Sequence, residues 1–157
     1  MSACFDTIDS PIGTLTVVVD AEGALTHVLF DGQSPPAGLE RDAARCAVAT
    51  TQLREYFGGE RREFDLPLAP AGTEFQRRVW TELKTVGYGV MTDYGSLGTR
   101  IGRSGAARAV GRANATNPIP IVIPCHRVIG ANGSLTGYAG GLPAKRLLLD
   151  LESRALS

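Results

Sequence analysis

The chain has 157 residues, 43% hydrophobic and 20% charged, with 16 basic side chains balancing 16 acidic ones. Such a length suits one domain or two small lobes sharing a core, and no apolar run approaches the ~20 residues of a membrane span. The zero net charge is unevenly divided: residues 1–67 hold five basic and eleven acidic side chains, residues 68–157 eleven basic and five acidic.

Met1 to Asp20 carries acids but no Lys or Arg, unlike a secretory leader. Cys4, Cys46 and Cys125 are odd in number and widely spaced, which favours a reducing, cytoplasmic setting over a disulfide framework. Residues 4–30 read as short strands. Thr14 to Val19 and Ala24 to Phe30 are the clearest, with Asp20-Ala21-Glu22-Gly23 as the turn between them. Asp31 to Gly38, rich in Pro and Gly, reads as a loop. Arg41 to Phe57 predicts a helix with Ala44, Val48, Leu53 and Phe57 on its apolar stripe and Gly58-Gly59 as its stop. Arg62 to Leu66 suggests a further strand. Leu66 to Gly72, with two prolines, is the best boundary between lobes at 1–67 and 73–157.

The second lobe opens with Thr73 as a helix cap, followed by Phe75, Val79, Trp80 and Leu83 on one stripe. Asp93 caps a predicted helix from Tyr94 to about Ile101, with Leu97 and Ile101 inward. Gly102 breaks it, and Ser104 is the expected cap of a second helix from Gly105 to about Ala115. Two short helices joined by a small-residue turn dock on DNA in many folds, and are also a common packing motif. The second helix carries Ala106, Ala107, Ala109, Gly111 and Ala113, small enough for close approach to a neighbouring helix or a nucleic-acid strand. From Tyr94 through Leu149 there is no carboxylate, while Arg100, Arg103, Arg108, Arg112, Arg127, Lys145 and Arg146 lie inside. A one-signed stretch of this kind neutralises phosphates well; the alternative is a solvated basic face balanced by the acidic lobe.

Asn117-Pro118 ends the second helix, and Ile119 to Ile123 reads as an extended strand or buried loop carrying Cys125 inward. In Pro124-Cys125-His126-Arg127 a thiol adjoins an imidazole and a guanidinium. Nearby cations lower a thiol pKa from roughly 8.5, making Cys125 a candidate nucleophile, although a buried cysteine acting as a small hydrophobe is commoner. Ala131 to Ser134 is a hairpin-type turn. Gly137 to Gly141 is too glycine-rich for a regular element and suits close approach of a flat ligand. Pro143 begins a final helix, with Leu147, Leu148 and Leu151 apolar and Glu152 on a nearby face.

Arg108-Ala109-Val110-Gly111, Asn117-Pro118, Pro124 to Val128, Gly137-Tyr138, Gly140-Gly141, Lys145 and Leu148-Leu149 together resemble the O6-alkylguanine-DNA alkyltransferases in order and spacing. The likeness is specific over residues 73–152 and looser over the acidic lobe. It implies an α+β fold: an N-terminal ribonuclease-H-like lobe and a C-terminal winged-helix-like lobe containing the helix-turn-helix.

The resemblance also implies a single-turnover reaction on double-stranded DNA containing O6-alkylguanine, with O4-alkylthymine left open as a second substrate. The second helix would enter the minor groove through Ala106, Ala107, Arg108 and Arg112, with Arg108 filling the stack vacated by an extruded base, a task suited to a planar guanidinium. Cys125 would take the alkyl group. His126 would accept the thiol proton through a water, since neighbours on an extended strand point to opposite sides, and Glu152 would orient His126. Tyr94 would donate to guanine N3, and Asn117 would tie the recognition helix to the active-site turn. The carbonyls of Cys125 and Val128, with Tyr138, Ala139 and Gly140, would read the purine.

Ala139 stands where many relatives have Ser, and Asp93 where Ser is frequent, which bears on lesion preference and affinity. No cofactor is implied. Cys4 and His27 lack the companions that a zinc site needs. The expected protein works as a monomer, with clustering on DNA left open. Rival readings are a lesion sensor without chemistry, a transcription regulator and a Cys-His-Glu hydrolase. Retention of Cys125, His126 and Glu152 disfavours the first, and the short chain disfavours the second.

Overall fold

Asp20 organises the first tight turn. Its carboxylate accepts the backbone N–H groups of Glu22 and Ala24, while Gly23 takes φ +86°, which residues bearing a β-carbon avoid. The turn joins β2 (Leu15–Val19) to β3 (Leu25–Leu29) in antiparallel pairing, and β2 also pairs antiparallel with β1 (Cys4–Ile8). A two-residue strand, β4 (Glu40–Arg41), runs parallel to β1, giving the sheet order β3-β2-β1-β4. β2 is buried along its whole length. Helix α1 (Ala43–Phe57) packs across β1 and β2, with the Asp42 carboxylate capping it through the Arg45 N–H. This computed structural model describes residues 2–156, and the chain divides into two compact units, Met1–Pro70 and Ala71–Ser157.

Two expectations for the first unit need correction. The buried face of α1 is Cys46, Ala49, Thr50, Gln52, Leu53 and Tyr56, whereas Val48 is 61% exposed and Ala44 is exposed as well. The polar Gln52 marks that face and hid it from a hydrophobic count. Gln52 also explains why residues 62–66 form a loop instead of a strand. Its amide donates to the Asp65 carbonyl at 3.0 Å and accepts the Asp65 N–H at 2.9 Å, so the backbone there is satisfied by a side chain, not a ladder. The sheet is instead extended by one isolated bridge between Leu25 and Leu68.

The second unit is mainly helical. Thr73 and Gln76 form a reciprocal capping box at the start of α2 (Glu74–Leu83), which buries Val79, Trp80 and Leu83. Asp93 caps α3 (Tyr94–Arg100) by accepting the Ser96 N–H at 2.8 Å. Helix α4 (Ala107–Ala115) starts two residues later than expected, and its cap position is Ala106, with no side-chain cap. Ser104 is not the cap, because Gly105 at φ +82° carries the chain through a further turn first. The helices cross closely: a β-carbon on Gly98 of α3 would lie 3.0 Å from the Arg103 carbonyl oxygen and 3.6 Å from Val110 of α4. Trp80 donates to the Ala113 carbonyl at 2.8 Å, joining α2 to the end of α4.

Two very short strands, β5 (Thr92–Asp93) and β6 (Val128–Ile129), pair in parallel, with Thr92 opposite Val128. They lay the start of α3 beside the segment that follows Cys125. Their length gives no periodicity to read, and they were not expected. Ala131 to Ser134 does turn tightly, with the Gly130 N–H donating to the Ser134 carbonyl at 2.9 Å, but it joins no antiparallel hairpin. Helix α5 (Leu142–Leu156) closes the unit and buries Ala144, Lys145, Leu148 and Glu152. Among the described residues, no helix is long and apolar enough to cross a membrane.

A β-carbon on Gly72 would lie 2.5 Å from the Trp80 ring. Gly72→Ala should therefore lower unfolding stability by about 1–3 kcal/mol, measured by urea denaturation. Gly87→Ala, whose added carbon would meet only Val90 at 3.7 Å, should stay close to the parent.

Candidate active site

The site is built on a buried irregular loop. Ile119, Ile121 and Ile123 are each at most 1% exposed, and the loop is stapled by Asn117, whose side chain accepts the Ile119 N–H at 2.9 Å and donates to the Ile123 carbonyl at 2.8 Å. Ile121 adopts φ +74°, a costly conformation for a β-branched residue and sustained only by its surroundings. The loop resolves the strand-or-loop alternative in favour of a loop. It delivers Cys125 to a single 3-10 turn, Cys125–Arg127. The expected extended strand at Cys125-His126 is thus corrected: Arg127 N–H closes onto the Pro124 carbonyl at 3.0 Å, and Val128 N–H onto that of Cys125.

Behind the turn lies a buried charged cluster. Glu152, on α5, is 1% exposed and gathers three segments. His126 Nε2 lies 2.7 Å from Glu152 Oε2, Arg127 donates through Nε and a terminal nitrogen at 2.8 and 2.9 Å, and the Gly89 N–H donates to Oε1 at 3.1 Å. Arg127 also donates to the Val86 carbonyl at 2.6 Å and lies over the Tyr88 ring. The imidazole and guanidinium hold the Glu152 carboxyl well below the usual carboxylate range, overcoming burial, which raises it. Burial pushes His126 below its ordinary value against the upward pull of Glu152. A neutral His126 facing an ionised Glu152 carries its proton on Nε2, leaving Nδ1 as an acceptor. His126 Nδ1 is buried and makes no hydrogen bond within the structure described.

The thiol departs from expectation. Cys125 is 4% exposed, and burial pushes its pKa up rather than down. The Asn117 and Tyr138 side chains, its own backbone N–H and the Lys145 charge pull the other way. The adjacent Arg127 does not activate it, because its guanidinium is turned to Glu152. Cys125 is held as a neutral thiol with several donors poised around it.

Tyr94, at the start of α3, sets its hydroxyl 2.5 Å from Thr136 Oγ1, and its ring packs over Gly111 of α4. Val128 is fully buried, and its carbonyl accepts Lys145 Nζ at 2.6 Å; the Cys125 carbonyl accepts Asn114 Nδ2 at 3.4 Å. The Cys125 carbonyl also accepts the Val128 N–H, so both of its lone pairs are engaged. Tyr138 and Gly140 are half-buried and Ala139 is exposed in the irregular loop before α5. On α4, Val110, Ala113 and Asn114 face inward, while Ala107, Arg108 and Arg112 are exposed and Ala106 half-buried. The small residues therefore serve both readings, packing and an open outer face.

The basic stretch also needs correction. Arg127 and Lys145 are buried and structural, Arg100 pairs with Glu82 at 2.9 Å, and Arg103 lies over Phe75. Arg100, Arg103, Arg108, Arg112 and Arg146 are all exposed, the first two engaged by Glu82 and Phe75. Sequence reasoning missed the work of Arg127, Lys145, Thr136 and Gly89. A buried cation is indistinguishable in sequence from an exposed one, and no periodicity marks Thr136 or Gly89. Cys4 Sγ lies 3.9 Å from Cys46 Sγ, and His27 Nδ1 pairs with Thr26, so the two residues considered for metal have other partners.

Residues 74–154 match the 6-O-methylguanine DNA methyltransferase DNA-binding domain, and residues 4–70 match the ribonuclease-like domain of the same family. The methylated-DNA–protein-cysteine methyltransferase of Mycolicibacterium paratuberculosis is 50% identical over 153 residues, covering 96% of this chain and 92% of that one. The protein of the same name from Shigella flexneri is 45% identical, covering 95% of each chain. Among solved structures, that of Mycobacterium tuberculosis OGT in complex with DNA superposes with a TM-score of 0.91 at 48% identity, covering 96% of this chain and 93% of that one. With both units matched and the thiol, imidazole and carboxylate gathered as described, the chain belongs to the methylated-DNA–protein-cysteine methyltransferase family.

Proposed function

We propose that the protein repairs DNA by moving the alkyl group of O6-alkylguanine onto Cys125 in a single, irreversible turnover. The observation that carries this reading is the buried His126–Glu152 pair, 2.7 Å apart, next to a thiol kept neutral by burial. As the S–C bond forms, the thiol proton must leave. His126 Nδ1 is the open acceptor, reached through one water, and Glu152 stabilises the imidazolium that results. The C–O bond breaks toward the base, and a donor on a ring nitrogen, the Tyr94 hydroxyl, offsets the charge developing there. No metal or cofactor enters the step.

DNA is met by α4. Its exposed Arg112 reaches phosphates, and the small residues Ala106 and Ala107 permit close approach to a narrow groove. Arg108 fills the stack left by the extruded guanine. Extrusion costs a few kcal/mol, least for a poorly paired lesion. Val128, Tyr138, Ala139 and Gly140 line the pocket that receives the base, and Asn117 couples the end of α4 to the Cys125 turn through the Ile123 carbonyl. Substrate therefore joins a neutral thiol, and ionisation follows entry.

Incubation with an O6-methylguanine duplex should give one methyl adduct per chain on Cys125 by intact mass and peptide mapping. Cys125→Ser should bind the duplex and transfer nothing; product beyond one equivalent would identify a turning-over hydrolase instead.

Arg108→Ala should slow repair in duplex far more than reaction with free O6-methylguanine, since extrusion is needed only in DNA. Equal losses on both substrates would remove the stacking role.

The pH dependence follows from the shifts. His126 has a folded pKa below 6.5, so it stays an acceptor there, and the transfer rate should fall only at lower pH. Glu152→Gln should slow transfer by roughly 10²-fold and move that limb further acid, because Glu152 raises the His126 pKa. The same depression means that the unfolded chain takes up the His126 proton first. Stability should therefore decline as pH drops below about 6.5, followed by urea midpoints.

A further inference from the structure

We propose that Thr136 is a positioning residue that aims the Tyr94 hydroxyl proton at the substrate base, through a hydrogen-bond chain whose direction is set by buried Lys145. The inference rests on the role given above to Tyr94 and adds the group that makes it a donor.

Lys145 is fully buried on α5, and its ammonium has no carboxylate partner among the described residues. It donates to the Val128 carbonyl at 2.6 Å and lies 3.4 Å from both the carbonyl oxygen and Oγ1 of Thr136. An ammonium has three donors and no acceptor, so Thr136 Oγ1 must accept from it. The single hydroxyl proton of Thr136 is then free to point at Tyr94 Oη, 2.5 Å away. With Thr136 donating, the Tyr94 proton is left for a group outside the chain. The opposite order would turn that proton inward onto Thr136, which already accepts from a cation.

Polarisation runs the same way. Each bond in a chain headed by a charge strengthens the next, making the terminal hydroxyl a better donor. Packing of the Tyr94 ring over Gly111 fixes the direction in which the hydroxyl is presented. A purine ring nitrogen, a neutral acceptor that gains charge as its alkyl group departs, is the chemistry such a donor recognises.

Thr136→Val keeps the shape of the side chain and removes the hydroxyl; Thr136→Ser keeps the hydroxyl. Single-turnover rates and duplex binding are measured for both, and for Tyr94→Phe. The substrates are an O6-methylguanine duplex and the 3-deaza analogue, in which the acceptor nitrogen is replaced by C–H. On the normal lesion, Thr136→Val should react about tenfold more slowly, the weight of one hydrogen bond, with binding unchanged, and Thr136→Ser should restore the rate. On the 3-deaza lesion, Thr136→Val should match the parent. Equal slowing on both substrates would reduce Thr136 to loop structure and overturn the inference. Wild-type rates for Thr136→Val alongside a slow Tyr94→Phe would overturn it while sparing the role of Tyr94. A Tyr94→Phe variant as fast as the parent would overturn both.

Discussion

One buried carboxylate organises the second unit. Glu152 stands on α5, yet its partners come from elsewhere: Gly89 from the loop after α2, and His126 and Arg127 from the 3-10 turn. An ionised carboxylate at 1% exposure is tolerable only because a guanidinium and an imidazole meet it and a backbone N–H completes its hydrogen bonding. Removing any member strands the others, with a cost of about 3–5 kcal/mol typical of a broken buried pair. The same bonds fix the imidazole tautomer. Structural and chemical demands on Glu152 are therefore inseparable: the network that anchors α5 also leaves His126 Nδ1 open.

A second support acts on the other side of Cys125. Asn117 bonds the loop at two points, and Asn114 reaches the Cys125 carbonyl from inside α4. Trp80 ties the end of α4 to α2 through the Ala113 carbonyl. The helix that carries Arg108 outward thus holds the Cys125 turn inward through Asn114, with Asn117 acting just beyond its end. The unfavourable φ of Ile121 is sustained by this clamp and by burial of the isoleucines around it. Displacing α4 would loosen the turn, which in the proposed reaction gives a physical route from DNA contact to the Cys125 sulfur.

What the sequence disclosed was what rests on local rules. The Asp20 turn, the Thr73 and Asp93 caps and the stripe of Val79, Trp80 and Leu83 all follow from short-range chemistry, and the structure contains each. Legibility failed where tertiary contacts override pattern. Gln52 sits on the buried face of α1 because it serves the Asp65 backbone, and that same service dissolves the strand expected at residues 62–66. Ser104 lost its capping place to the left-handed turn at Gly105. The candidate site divides in the same way. Cys125, His126 and Glu152 could be named from motif, but Arg127 and Lys145 were counted as surface charge, since burial of a cation depends on partners distant in sequence.

The thiol is where expectation and structure differ most usefully. A permanently ionised cysteine would be the stronger nucleophile, but it would also meet every electrophile and oxidant in its surroundings. Burial of Cys125 favours the neutral form, while Asn117, Tyr138, Lys145 and its own N–H pull toward the anion without winning. Such a balance is sensitive to small changes. In the proposed reaction, a substrate that brings an electrophilic carbon to the sulfur, with a proton path to His126, would let the proton depart as the new bond forms, so no free thiolate need accumulate. For the single-turnover reaction proposed above this order of events matters: reactivity would be withheld until the correct base occupies the pocket, with the energy of docking releasing it.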